Sequence, residues 1–258
     1  NKNALLEAAV MEGRRNVLVA EAPRWAARTL TTYRVDDGQE LTQPVWTPDG
    51  RGLLFVRGGD RSAAGEYPNP TSDPRGAAQE VWFVRLSGGA RRIGEGTYPA
   101  PSPAGDRVAF VLRDTIWSAP LRTAGPARVL FRARGRSGSP TWSPDGRVLA
   151  FVSRRPTHAF IGVYDRRRDT IRYLAAGVDR DDLPRWSPDG SRVAFVRQPG
   201  ATFPGGAAPS SAPRQLPPWA IWVADVATGE GREVWPAPVA PDAAFPSLAG
   251  DWGLAWAA

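Results

Sequence analysis

One short phrase occurs four times along the chain and constrains the fold more than any other feature. The copies are PVWTPDGRGLLFV from residue 44, PAPSPAGDRVAFV from 99, PTWSPDGRVLAFV from 140 and PRWSPDGSRVAFV from 184. A degenerate fifth copy, GLAWAA near 254, puts Trp256 at the position that holds Trp46, Trp142 and Trp186 in three of the others. Repetition at intervals of about 40 to 70 residues indicates an array of similar structural units.

The phrase has the composition of a β-hairpin. In the copy at 184, Pro188 presets φ for the first central position of a type I turn and Asp189 suits the second. Gly190 then supplies the left-handed residue that closes a three-residue loop with a bulge. The strand after the turn alternates, so Val193 and Phe195 are expected to face a buried layer.

Two further strands are predicted behind each phrase. The first reads EVWFVRL at 80, TIWSAPL at 115, FIGVYDR at 160 and AIWVADV at 220, and the second includes RRIGEG at 91 and TIRYLAAG at 170. Four short antiparallel strands per repeat predict an all-β fold, a β-propeller of four-stranded blades. A β-sandwich would also contain short strands, but it would not explain four nearly identical hairpins at this spacing.

We interpret residues 1–258 as one propeller domain with insertions at 58–78 and 198–218. Both insertions are rich in Pro, Gly, Ser and Ala, and long loops on a rigid scaffold commonly carry binding. Only the first segment, NKNALLEAAVMEG, has helical composition, and it is either a frayed or a strand-bound end. Two arrangements stay open, a closed five-bladed ring and an incomplete part of a larger propeller. The second is favoured because no hairpin phrase precedes the first strands.

Composition excludes several classes of function. The net charge of +7 comes almost entirely from arginines that are scattered along the chain, which argues against a nucleic-acid partner. No apolar run approaches the length of a membrane span. With no cysteine and one histidine there is no transition-metal site, and the acidic group of Asp179, Asp181 and Asp182 lacks the glycine and terminal glutamate of a Ca²⁺ loop. No cofactor is expected.

The repeats resemble those of TolB-like propellers and of the propeller domain in bacterial serine peptidases of the prolyl oligopeptidase family. The stretches GEYPNPTSDPRGAAQEVWFV at 65, HAFIGVYD at 158 and PWAIWVADVATGE at 218 are closer to the peptidases, including their dipeptidyl-peptidase-IV-like and acylaminoacyl-peptidase-like members. The resemblance implies that a C-terminal α/β-hydrolase domain partners the propeller, which gates access for short peptides. The alternative that it leaves open is a non-enzymatic propeller that binds a protein partner.

The chain itself has no catalytic apparatus for peptide hydrolysis. His158 is its only histidine, and a serine nucleophile needs a base beside it. No Gly-x-Ser-x-Gly elbow occurs; GRSGS at 135 has its second glycine one place early. Catalysis is therefore expected in a hydrolase domain outside these residues, and His158 is expected to be structural.

Four residues are candidates for binding. Some members of the resembling family hold the α-amino group of the substrate with a pair of propeller glutamates, and Asp181 and Asp182 lie just before the phrase at 184, in a comparable place. They are aspartates, however, and lie closer to the motif tryptophan. Glu66 and Tyr67, in an insertion stiffened by prolines, are candidates for contact with the partner domain. We expect a periplasmic or secreted location; a cytoplasmic one and a homo-oligomer stay open.

Overall fold

The computed structural model describes residues 4–11, 14–34, 39–59, 78–200, 218–238 and 254–256. All regular structure in these ranges is β-strand. The strands are β1 (Ala4–Met11), β2 (Arg14–Glu21), β3 (Ala27–Thr29), β4 (Leu41–Trp46), β5 (Gly52–Arg57), β6 (Glu80–Arg85), β7 (Ala90–Glu95), β8 (Thr97–Pro101), β9 (Arg107–Leu112), β10 (Thr115–Pro120), β11 (Arg128–Phe131), β12 (Arg136–Trp142), β13 (Val148–Arg154), β14 (Ala159–Asp165), β15 (Thr170–Leu174), β16 (Arg180–Trp186), β17 (Arg192–Gln198), β18 (Ala220–Asp225) and β19 (Gly231–Pro236). In this part of the chain no helix is long and apolar enough to cross a membrane.

The strands form antiparallel sheets in two compact units, residues 1–131 and 132–258. The first unit holds the sheets β1-β2-β3, β4-β5-β6-β7 and β8-β9-β10-β11. The second holds two sets of four strands, β12 to β15 and β16 to β19, which are joined by one parallel pair between Ala159 and Arg180. The four strands predicted for each repeat are confirmed.

The hairpin predicted from the repeated phrase is present in all four copies. In the copy at 184, the Gly190 amide donates to the Ser187 carbonyl at 2.9 Å, and Gly190 has φ of +72°. The Ser187 hydroxyl also donates to the Asp189 carboxylate at 2.5 Å, which holds the turn closed. The copy at 99 has alanine in place of this aspartate; there Asp106, just after the glycine, accepts from Ser102 at 2.6 Å.

The first strand of each repeat, which leads into the hairpin turn, contains a bulge that the sequence does not predict. Three residues before the motif tryptophan position, the backbone is left-handed although no glycine is present: Gln43, Tyr98, Ser139 and Leu183 have φ between 45° and 55°. The pairing register between the first and second strands shifts at the same places. Because residues of this kind rarely adopt positive φ, the bulge is imposed by the packing around it.

The core lies between successive sheets. In each second strand the phenylalanine of the phrase is almost fully buried: Phe55, Phe110, Phe151 and Phe195. Phe195 packs with Val152, Ile161 and Leu174 of the preceding sheet. Alternation predicted one buried face for this strand, but residues 193–197 are all buried, because the second strand is covered on both faces.

Tryptophans at the motif position link the first strands. Trp186 donates its indole N–H to the carbonyl of Thr141, the residue before Trp142, at 3.0 Å. Trp256 repeats this contact, donating to the carbonyl of Arg185, the residue before Trp186, at 3.0 Å. The degenerate fifth copy of the phrase therefore places its tryptophan as the copy at 184 does.

The segment of helical composition at the start is a strand. Residues Ala4–Met11 pair with Glu21–Arg14 over their full length. Helix propensity is a weak preference of the isolated chain, and pairing with a neighbouring strand overrides it.

Candidate functional site

A pocket of about 760 Å³ opens in the second unit and contains both predicted aspartates. It lies where the first strands β12 and β16 begin and the second strands β13 and β17 end. We call it the cationic pocket; its lining is Arg134, Gly135, Arg136, Arg154, Arg155, Pro156, His158, Ala159, Arg180, Asp181, Asp182, Val196 and Gln198. The insertion that starts at 198 leaves β17 from the rim of this pocket.

Asp181 forms a buried ion pair at the base of the cationic pocket. Its two carboxylate oxygens accept from Nε and Nη2 of Arg197 at 2.7 and 2.9 Å, and the side chains are 1% and 9% exposed. The Arg197 guanidinium also lies 4.2 Å from the centre of the Trp222 ring. Burial raises the pKa of Asp181, while the hydrogen bonds and charge of Arg197 oppose that rise.

Asp182 is the more accessible of the two predicted residues. Its side chain is 42% exposed and pairs with Arg154, with 2.7 Å between Nη2 and Oδ2. Its other oxygen accepts from the Leu183 amide at 2.8 Å and from the Ser139 hydroxyl at 3.3 Å. Asp182 therefore ties together the bulges of β12 and β16, since Ser139 and Leu183 are the left-handed residues of those strands.

Arginines outnumber carboxylates in the lining. Five arginines and two aspartates give the lining a formal charge of +3, and the buried Arg197 beneath adds one more. The cluster is not visible in the sequence because its members lie at 134–136, 154–155 and 180. The pairing of β12 with β13 brings the first two groups together, and the pairing of β13 with β14 and of β14 with β16 adds position 180. The available signal was that each arginine stands at a strand end.

Arg155 is the most constrained of these arginines. Its Nη1 is buried without a hydrogen-bond partner among the described residues, and its Nη2 donates to the Tyr173 hydroxyl at 3.3 Å. Gly135, with φ of +83°, lies directly against it: a Cβ at Gly135 would clash with Nη1 and with the backbone carbonyl oxygen of Arg154. Glycine is required there both for the backbone conformation and for the close approach.

His158 lines the same pocket. Its ring packs on Phe160 with 4.7 Å between centres, and Nδ1 lies 3.0 Å from the Thr157 hydroxyl. Both contacts are made to residues close in sequence, and the structural role predicted for His158 stays a prediction. In the ranges that the structure describes, no group of three or more His, Asp or Glu side chains could hold a metal ion.

Glu66 and Tyr67 are the other two residues predicted to make contacts. They lie outside the described residues, so their predicted role stays a prediction.

In the first unit a pocket of about 810 Å³ lies at the hairpin end of its sheets, with Asp49, Arg51 and Phe83 in its lining. No residue predicted to bind lies in it.

No family model matches the chain. An uncharacterized protein of Agrobacterium fabrum is 30% identical over 128 residues, which cover 42% of this chain and 38% of that protein. A Streptomyces coelicolor protein named as a tricorn protease homolog is 37% identical over 71 residues, or 27% of this chain and 6% of that protein. The chain thus spans well under half the length of the curated relatives it matches.

Solved structures that resemble the chain establish its fold. TolB of Acinetobacter baumannii aligns with a TM-score of 0.55 at 19% identity, over 91% of this chain and 52% of its own. An oligogalacturonate lyase in complex with manganese aligns with a TM-score of 0.63 at 16% identity, over 92% of this chain and 63% of its own. The β-propeller domain of the trilobed protease from Pyrococcus furiosus aligns with a TM-score of 0.51 at 15% identity, over 76% of this chain and 57% of its own. The fold is a β-propeller of four-stranded antiparallel sheets.

One further peptidase structure shows the extent of the likeness. A prolyl endopeptidase aligns with a TM-score of 0.57 at 14% identity, over 87% of this chain but only 33% of that chain. The resemblance to peptidases therefore covers a part of those proteins that corresponds to a propeller.

Proposed function

We propose that this chain is the substrate-positioning propeller of a serine-type peptidase that acts on short peptides, with catalysis in a C-terminal α/β-hydrolase domain of the same protein. The cationic pocket is the observation that best supports the proposal. It combines an accessible carboxylate with several guanidinium groups in about 760 Å³, so both charged ends of a short peptide would find partners there.

The two aspartates take different parts in this proposal. Asp182 binds the α-ammonium group of the substrate, because its carboxylate is accessible from the pocket and already lies in a polar network. Asp181 supports Asp182 from the base of the pocket, because the carboxylate oxygens of Asp181 are already bound by Arg197. Glu66 and Tyr67, on the insertion between β5 and β6, contact the hydrolase domain.

The comparisons support a peptidase by likeness alone. A trilobed protease, a prolyl endopeptidase and a tricorn protease homolog are among the similar proteins. A second candidate, a TolB-like propeller that binds a protein partner in the periplasm, is supported by the TolB structure, which aligns over 91% of this chain. Export to the periplasm or beyond fits both candidates.

The complete reading frame is the first test. A peptidase requires a downstream Gly-x-Ser-x-Gly elbow followed by an aspartate and a histidine. A reading frame without them would end the peptidase proposal and leave the TolB-like one.

Activity of the complete protein tests the role of Asp182. We expect Asp182→Asn to raise KM at least tenfold for dipeptide and tripeptide p-nitroanilides with a free amino terminus, because the ammonium group of the substrate loses its charged partner. Acetylated forms of the same substrates should change less than twofold. Glu233→Gln, an exposed carboxylate of β19, is the matched control. Equal effects on free and acetylated substrates would exclude an ammonium contact at Asp182.

A further inference from the structure

We propose that the cationic pocket contains a carboxylate-binding subsite formed by Arg134, Arg155 and Arg180. This inference concerns binding alone and does not depend on the proposed peptidase activity. Arginine is the side chain best suited to it, because its planar fork donates two parallel hydrogen bonds to a carboxylate.

Both aspartates of the pocket already have arginine partners, and the subsite uses three of the other arginines in the lining. Asp181 is neutralised by Arg197 and Asp182 by Arg154, at 2.7 Å in each pair. In the part of the chain that the structure describes, no carboxylate pairs with Arg134, Arg155 or Arg180. Arg180 makes only long hydrogen bonds among the described residues. Its guanidinium donates to the carbonyls of Pro156 and Thr157, both at 3.5 Å.

Arg155 carries the argument for a built subsite. A buried N–H without an acceptor costs free energy, and such groups in native proteins call for an explanation. In Arg155, Nη1 is buried and has no hydrogen-bond partner among the described residues. The backbone of this residue is held in place, because the Arg155 amide donates to the His158 carbonyl at 2.8 Å. A ligand oxygen that displaced the Arg155 side chain from Gly135 would reach Nη1 and complete the hydrogen bonding of this guanidinium.

The chain segment next to the pocket cannot supply the missing carboxylate. The insertion that leaves β17 at the rim, residues 199–217, contains neither Asp nor Glu. A concave site with an excess of guanidinium groups therefore fits a small external anion. The carboxylate can come from a peptide C-terminus or from an acidic side chain, and the experiment separates the two.

Binding of single acetylated amino acids tests the subsite without any turnover. Ligand-observed NMR titrations of the complete protein would use N-acetylalanine, N-acetylalanine amide and N-acetylglutamic acid α-amide. We expect the two carboxylates to bind at least tenfold more tightly than the neutral amide. Preference for N-acetylalanine assigns a C-terminal carboxylate, and preference for the glutamic acid derivative assigns an acidic side chain.

Variants locate the binding. Arg155→Met and Arg134→Met should each weaken carboxylate binding at least fivefold, and Arg134 is exposed, so its variant does not depend on core folding. Arg167→Met, on an exposed turn of the same unit, should leave binding unchanged. If N-acetylalanine and its amide bound equally, or if both pocket variants bound carboxylates as tightly as the original protein, the subsite would be refuted. If inorganic phosphate bound tenfold more tightly than the carboxylates, the assignment of the subsite to carboxylates would be refuted. A protein without peptidase activity that still binds carboxylates would refute the proposed function alone.

Discussion

Asp181 and Arg197 show how one buried pair holds the base of the cationic pocket. Arg197 is enclosed by Asp181 on one side and by the Trp222 ring on the other, and its Nη2 also donates to the Ala175 carbonyl. A charge this deeply buried persists only with a partner, so each residue makes the other tolerable. Above the pair, Arg134 and Arg180 are exposed in the lining of the pocket.

Removal of one partner should therefore destabilise the protein strongly. We expect Asp181→Asn to lower the free energy of unfolding by roughly 3 to 5 kcal/mol, because the buried Arg197 loses its close carboxylate partner and keeps only Asp179, 3.9 Å from its Nε. Urea unfolding followed by tryptophan fluorescence measures the change. The double variant Asp181→Leu with Arg197→Met should recover most of the loss, since apolar groups of similar volume replace the pair. A loss below about 1 kcal/mol for Asp181→Asn would mean that Arg197 finds another partner.

The partner of Asp181 could not be deduced from the sequence, and the reason lies in one bulge. The hairpin at 187–190 sets Trp186 opposite Val193, and that register extended backwards would place Asp182 opposite Arg197. The bulge at Leu183 shifts the pairing by one residue, so Asp181 meets Arg197 instead. No glycine marks this bulge, and a one-residue shift exchanges the faces of the strand.

The repeated hairpins were the most predictable elements. Turn chemistry is local, so Pro, Asp and Gly at fixed positions specify the loop without knowledge of the rest of the fold. Strands β6, β10, β14 and β18 were predicted for the same reason: β-branched and aromatic residues in short runs bounded by turns. The opposite case is β1, whose residues favour a helix in isolation and whose conformation depends on its neighbour β2.

The hairpins also make stability depend on acid. Hydrogen bonds from Ser187 and then Ser191 lower the pKa of Asp189 to about 2. The carboxyl groups of the other three hairpins also have lowered pKa values: Asp49, Asp106 and Asp145. A carboxyl whose pKa is lower in the folded state stabilises the fold above its unfolded pKa of about 3.9, and this contribution is lost as the pH falls towards the folded value.

We therefore expect the free energy of unfolding to fall between about pH 4 and pH 2, with a part of the slope due to Asp189. Urea unfolding at a series of pH values measures it for the original protein and for Asp189→Asn. The variant should be less stable at pH 7 and should show a shallower decline below pH 4. Glu230→Gln, an exposed residue of the turn after β18, serves as control. An unchanged slope in Asp189→Asn would show that the hairpin carboxylate does not contribute.

The molecule repeats one packing solution several times. In three second strands a phenylalanine packs towards the preceding sheet: Phe55 against Val17 and Val19, Phe110 against Val56 and Val81, and Phe195 against Val152 and Ile161. The repetition explains why the fold was predictable from four phrases, whereas the cationic pocket was not. The pocket depends on arginines at strand ends that the repeat does not share. Arg155, for instance, has Gly59, Asp114 and Pro199 at the matching positions of the other three copies.

Repeated packing predicts that distant copies contribute independently to stability. Phe110 belongs to a cluster of the first unit and Phe195 to one of the second, and the two clusters share no residue. Phe110→Ala and Phe195→Ala should each cost roughly 3 to 5 kcal/mol, since each leaves a large cavity. Their effects in the double variant should add within about 0.5 kcal/mol.

A pair from one cluster provides the matched comparison. Phe195 and Ile161 lie in the same cluster, so Phe195→Ala with Ile161→Val should deviate from additivity by about 0.5 kcal/mol or more, because the second change acts on a site already relaxed by the first. Urea unfolding followed by circular dichroism and by tryptophan fluorescence measures all five variants. Coupling between Phe110 and Phe195 as large as that within the cluster would contradict local packing, and would mean that a change in one sheet interface is transmitted along the array to another.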